Sequence, residues 1–123
     1  MKKNNKGFSL VELIVVVLIM GIIAVALAPQ VMKWVGTSRT NSDSNNAKTI
    51  KSAVQAAVAD FQGQGGSLAA VTFAWTDAGV NGITDATLKT CVAEVAGGDY
   101  PTTASGATYS VSIAATGVVT VTY

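Results

Sequence analysis

The chain has 123 residues, half of them hydrophobic and only 12% charged, with a net charge of +1. That is enough for one small domain and too apolar for a disordered, charge-driven protein, while eight Lys/Arg against seven Asp/Glu exclude a basic nucleic-acid binder. The absence of His removes His-dependent zinc sites, the usual triads and imidazole acid–base catalysis, and a single Cys closes no internal disulfide.

The first element is a basic leader, Met1 to Gly7, with Lys2, Lys3 and Lys6. Three positive charges ahead of an apolar run predict a cytoplasmic N-terminus, with the rest of the chain outside. Residues 13–28 are then apolar or Gly without interruption, and Phe8, Leu10 and Val11 extend the block to Phe8–Ala28, broken only by Ser9 and Glu12. As a helix this block reaches about 31 Å, close to the hydrocarbon thickness of a bilayer. So short a chain cannot wrap a helix that is apolar on every side, so a membrane segment is predicted.

A removable secretory signal would also begin basic and apolar, with Ala26-Leu27-Ala28 as its cut site. Two residues argue against it. Pro29 would follow the cut, and its locked φ and missing N–H suit an extended protease substrate poorly. Glu12 lies inside the apolar stretch, where a carboxylate costs up to ~3 kcal/mol.

A lone carboxylate in an apolar run asks for a partner, and no Lys or Arg occurs between Lys6 and Lys33. Cleavage between Gly7 and Phe8 would create one, a new α-amino group with an ordinary pKa near ~8. It would lie four residues from Glu12, about one helical turn. The pair closes either within one chain or between parallel chains staggered along their axes. In the second case an unmatched charge is costly, so the pair sets the register of assembly.

The Lys-rich leader ending at Gly7, then Phe8-Ser9-Leu10-Val11-Glu12-Leu13 and an apolar run closing at Pro29, resembles the class III signal of type IV pilins and pseudopilins. The resemblance is specific over residues 1–30 and extends to the rest in layout only. It implies that a membrane aspartyl peptidase, the prepilin peptidase, cleaves after Gly7 and N-methylates Phe8. It implies that Glu12 neutralises the amine of a neighbouring subunit, and that the apolar helix leaves the bilayer for the core of a helical homopolymer built on an inner-membrane assembly platform. The product would be an extracellular pilus or an envelope-spanning pseudopilus. Residues 1–7 are then a cleaved leader, 8–29 the transmembrane and filament-core helix, 30–62 the amphipathic second half of a long helix, and 63–123 a globular region. Many members close a C-terminal loop with a disulfide; here packing and hydrogen bonds must hold it.

Within the apolar helix, Gly21, Ala24 and Ala28 offer small surfaces for helix approach, and Gly21 and Pro29 bracket a stretch able to bend. Trp34 beside Lys33 suits a membrane–water boundary. Residues 37–46 contain no apolar side chain, yet helical spacing resumes directly after them, so a solvated or subunit-facing helix is preferred to a loop. Ile50, Val54, Val58 and Phe61, with Ala53 and Ala57, form one narrow stripe, and Lys48, Lys51, Gln55 and Asp60 lie off it. The helix is expected to end near Gln62, before Gly63-Gln64-Gly65-Gly66. Those glycines lack the Lys-Ser/Thr of a phosphate loop, so no nucleotide is expected.

Val71, Phe73 and Trp75 alternate with polar or small residues as a half-buried strand. Thr76 to Asp85 reads as a loop. Asp77, Asn81 and Asp85 are four apart, unlike the dense spacing of a calcium loop. No cofactor is expected; some pseudopilins bind calcium in this region, which leaves the Asp77–Asp85 loop as the one candidate metal site. Asp85 is suited to cap a short helix facing inward with Leu88, Cys91, Val92 and Val95, stopped by Gly97 to Pro101. Cys91 reads as a buried thiol. Tyr109, Val111, Ile113 and Val119, Val121, Tyr123 alternate in two strands joined at Ala115-Thr116-Gly117. The expected fold is α+β, a long N-terminal helix laid on a small antiparallel sheet.

Three functions compete at this level. The resemblance implies a structural pilin. A pseudopilin of a type II secretion or competence DNA-uptake system shares its N-terminus, with DNA a partner only in the competence case. A single-span membrane protein would keep Met1 and be indifferent to Glu12. With no paired nucleophile and base, an enzyme is not expected.

Overall fold

The structure, a computed structural model, describes residues 7–76, 79–98, 103, 104, 106 and 108–123. The leader lysines, Asp77 and the Asp99–Pro101 helix stop lie outside the described residues. Helix α1 runs Leu10–Gly63 and is followed by β1 (Val71–Thr76), β2 (Gly79–Asn81), α2 (Ala86–Ala96), β3 (Tyr109–Ile113) and β4 (Val119–Thr122). This is the expected α+β architecture. Residues 37–46 are helical, as the spacing after them implied.

The chain divides into two compact units, Met1–Thr37 and Ser38–Tyr123. In the first, none of the described residues is buried. An all-apolar sequence has no polar face to turn outward, and Met32 and Leu10 stand 78% and 72% exposed. Pro29 lies inside α1 without ending it.

The second unit has one core. Its α1 residues bury a stripe, Ala47, Ile50, Val54, Ala57, Val58 and Phe61, against a four-stranded antiparallel sheet of order β2-β1-β3-β4. Every second residue of β1 and β3 points to that stripe. Phe73 pairs with Val111, and Trp75 with Tyr109; all four are buried. The other face carries Thr72, Ser110 and Ser112, as period-two alternation requires. Strands β3 and β4 form a hairpin with Val111 opposite Val121, and Gly117 takes the left-handed φ of 85° that its turn needs. Tyr123, expected on the apolar face, is half exposed and meets Tyr109 edge-on at 5.9 Å.

Helix α2 starts where the sequence placed it. Asp85 Oδ1 accepts the backbone N–H of Thr87 and Leu88 at 2.9 and 3.0 Å, and Gly97 closes the other end with φ 62°. Leu88, Cys91 and Val92 face the core, whereas Val95 is left exposed.

Two readings are corrected. The predicted Thr76–Asp85 loop contains β2, where Val80 pairs with Trp75. A three-residue strand with one large apolar side chain shows no period to detect. Residues 37–46 are also not wholly solvated, for Asp43 is buried on the core side of α1. Its carboxylate accepts the backbone N–H of Ala104, and its carbonyl accepts the Tyr109 hydroxyl at 3.4 Å.

Candidate functional site

The residues with candidate roles in processing and register, Gly7, Phe8 and Glu12, surround the start of α1. Leu10 opens the helix, and Ser9 stands at the N-cap, its carbonyl accepting the Leu13 N–H at 3.3 Å. Glu12 occupies the third helical position, and its Oε2 accepts the backbone N–H of Ser9 at 2.9 Å. This is the Glu half of a capping box, in which an acid three residues on reaches back to satisfy one N–H left over at the helix start. A carboxylate in the first turn is also favoured by the helix dipole. Reading Ser9 only as a polar interruption missed this; the signature Ser-x-x-Glu ahead of an apolar run would have found it.

One oxygen of Glu12 is thus engaged within its own chain. A carboxylate has two oxygens and about four acceptor sites, so capacity for a second, charged donor remains.

Gly7 and Phe8 precede the helix and are exposed. A Cβ built on Gly7 meets nothing within 4 Å, and its φ is not in the left-handed range. Glycine at this position is therefore demanded by neither the packing nor the backbone of this chain. The same holds for Gly21, although glycine inside a helix costs about 1 kcal/mol relative to alanine. Gly21 lies on a shallow apolar groove with Val17, Leu18, Ile22 and Val25. Pro29 lacks the N–H that would close the helical bond to residue 25.

The apolar part of α1 has a mean hydropathy of 3.1 over its best 18 residues, none of them buried, and is long enough to cross a membrane. Among the described residues no cluster of three metal-ligating side chains occurs, and the Asp85 carboxylate is engaged at the start of α2.

Residues 2–28 match the family model of the prokaryotic N-terminal methylation motif. No curated protein and no solved structure matches the chain. The matched stretch corresponds to the class III signal peptide of type IV pilins and pseudopilins, and it supports a pilin- or pseudopilin-like precursor. Proteins of that kind are structural; the motif implies processing by prepilin peptidase and polymerisation into filaments. An apolar N-terminal helix fits membrane insertion followed by assembly.

Proposed function

We propose that this protein is the structural subunit of an extracellular type IV pilus. It enters the membrane with its N-terminus cytoplasmic, is cut after Gly7, is N-methylated on Phe8 and assembles through its apolar helix. The observation that carries this reading is the helix start: a carboxylate, Glu12, held by one oxygen to Ser9 beside the bond whose cleavage releases an amine. The new Phe8 amine of a neighbouring copy supplies the charge that the second oxygen lacks. Gly7 fits the same reading, since a glycine with open space around it answers to something outside the chain, here the peptidase cleft. Transfer of the helix from lipid to a bundle of like helices carries no large hydrophobic cost, because both surroundings are apolar.

The test is the intact mass and N-terminal sequence of protein from its native cells, together with electron microscopy of shed filaments. A chain beginning at methyl-Phe8 in long surface filaments supports the pilus. The same processed chain confined to short, envelope-bound filaments would instead identify a pseudopilin of secretion or DNA uptake. A chain retaining Met1 would remove both readings.

A further inference from the structure

The second unit is polarised. In it, α1 carries Lys48 and Lys51, both exposed, and nine residues beyond Lys51 the exposed Asp60. Nine residues are about two and a half turns, so Lys51 and Asp60 project from opposite flanks of the helix, with the buried stripe between them. The sheet keeps the same division. Lys48 and Lys51 border a shallow depression with Thr120, Val121 and Tyr123, on the β4 side. The opposite flank, through Thr49 and Ala53, borders Val95 and Ala96 at the end of α2, next to the exposed Glu94. Strand β4 is one edge of the sheet, and β2, which α2 contacts, is the other. Lys89 is the one cation on α2; Asp60, Asp85 and Glu94 outnumber it. None of Lys48, Lys51, Asp60 and Glu94 has an ion-pair partner among the described residues.

One edge of the unit is therefore basic and the other acidic. Two different patches that complement each other make a heterologous contact, and such contacts propagate into open helical polymers where a self-complementary patch would close into a dimer. We propose that the second unit docks laterally on a second copy of this chain, the Lys48/Lys51 flank of one copy against the Asp60/Glu94 flank of the next. This rests on the filament reading above and adds to it a specific contact outside the apolar helix. Exposed ion pairs are individually weak and screened by salt. Repeated at every copy, they set which flank meets which and make lateral cohesion sensitive to ionic strength.

The experiment uses the full chain expressed in its native cells, with filaments sheared off, incubated at low or high NaCl and counted by sedimentation. The Lys48→Glu/Lys51→Glu and Asp60→Lys/Glu94→Lys variants are each expected to lower filament yield at least fivefold at physiological salt. The chain with all four substitutions restores the pairing with its sense exchanged and is expected to return to near the unsubstituted yield. Melting of each solubilised variant separates misfolding from lost contact. Unchanged yield and salt response in both double variants overturns the proposal. So does a fourfold variant as poor as the lysine variant alone, which would assign the lysines to another anion such as a lipid headgroup. Absence of filaments from the unsubstituted chain, by contrast, sinks the filament reading itself.

Discussion

The carboxylate of Asp43 on α1 accepts the backbone N–H of Ala104, sixty-one residues further along the chain. It ties the segment before β3 to the helix in a protein whose only cysteine, Cys91, is a buried free thiol. Tyr109 adds a second tie to the same residue through the Asp43 carbonyl. These two hydrogen bonds hold the segment before β3 to α1 without a disulfide.

Removing the Asp43 carboxylate is expected to be costly. Asp43→Ala leaves the Ala104 N–H without its charged acceptor, a loss of about 1.5–3 kcal/mol for a hydrogen bond to a charged group. Asp43→Asn keeps an acceptor oxygen and is expected to lose less. Thermal melts of the detergent-solubilised chain give the order, and limited proteolysis near residue 104 reports whether the segment has come loose. Equal melts for Asp43→Ala and the unsubstituted chain would show that the tie carries no stability.

A second prediction concerns the turn after α1. A Cβ on Gly66 would stand 2.5 Å from the ring of Phe61, which is itself buried in the core. Gly66→Ala must displace that ring, and overpacking of this kind costs typically about 1–3 kcal/mol. At Gly63 a Cβ meets open space, so Gly63→Ala is the control. Melting curves are expected to fall for the first substitution and hold for the second.

The parts legible in the sequence are those with a period or a cap. The Ile50–Phe61 stripe, the Phe73/Trp75 alternation and Asp85 ahead of α2 each repeat a pattern that one buried face imposes, and the sheet buries those faces. What escaped notice had no repeat. Strand β2 is too short to alternate. Asp43 sits amid Ser and Asn, where polarity suggests water, and only its fall on the helical spacing of Ala47 and Ile50 marks it as inward. At the helix start, Glu12 stood out because a charge in an apolar run is expensive. Its bond to Ser9 is a local matter of three residues, readable from the capping signature alone. The polarity of the two flanks became visible only once the helix phase and the sheet order were combined.

Tyr109 makes a prediction about pH. Burial, foremost, pushes its hydroxyl pKa above the ordinary value of 10, and the nearby Asp43 carboxylate adds to the rise, against a lowering by hydrogen bonding with Asn46. With the folded value above the unfolded one, the native state holds its proton longer. Stability from this group is complete below pH 10 and is lost as pH rises from there through the folded pKa. Tyr109→Phe removes that titration, so its stability curve is expected to be flatter above pH 10 even if lower throughout. Thermal melts between about pH 9 and 11, on the order of one pH unit either side of the ordinary value, make the comparison, and ultraviolet titration of the phenol checks the shift directly.

Gly7 offers a test of processing that folding does not confuse. Because a side chain there meets nothing, Gly7→Leu is expected to leave the fold and membrane insertion intact. A bulky residue beside the cut is nevertheless expected to block the peptidase. The variant should accumulate in the membrane with its leader attached, seen as the unprocessed mass, and surface filaments should be absent. Normal trimming of Gly7→Leu would show that glycine is not read at this position.

Glu12 separates two roles that one side chain combines. Its Oε2 caps the helix through Ser9, and its charge is proposed to meet the Phe8 amine of a neighbour. Glu12→Gln retains an oxygen to accept the Ser9 N–H but carries no charge, and glutamine is the other residue that completes a capping box. Glu12→Ala loses both. If capping alone mattered, Gln would assemble normally and only Ala would fail. If the charge pair sets the register, both variants are expected to be cleaved and inserted normally yet yield few filaments, because an unpaired amine is then left in an apolar bundle, where charge is costly. Filament counts by electron microscopy, with intact masses confirming cleavage, decide the matter. Normal filaments from Glu12→Gln would remove the charge pair from the assembly mechanism and leave Glu12 as a cap.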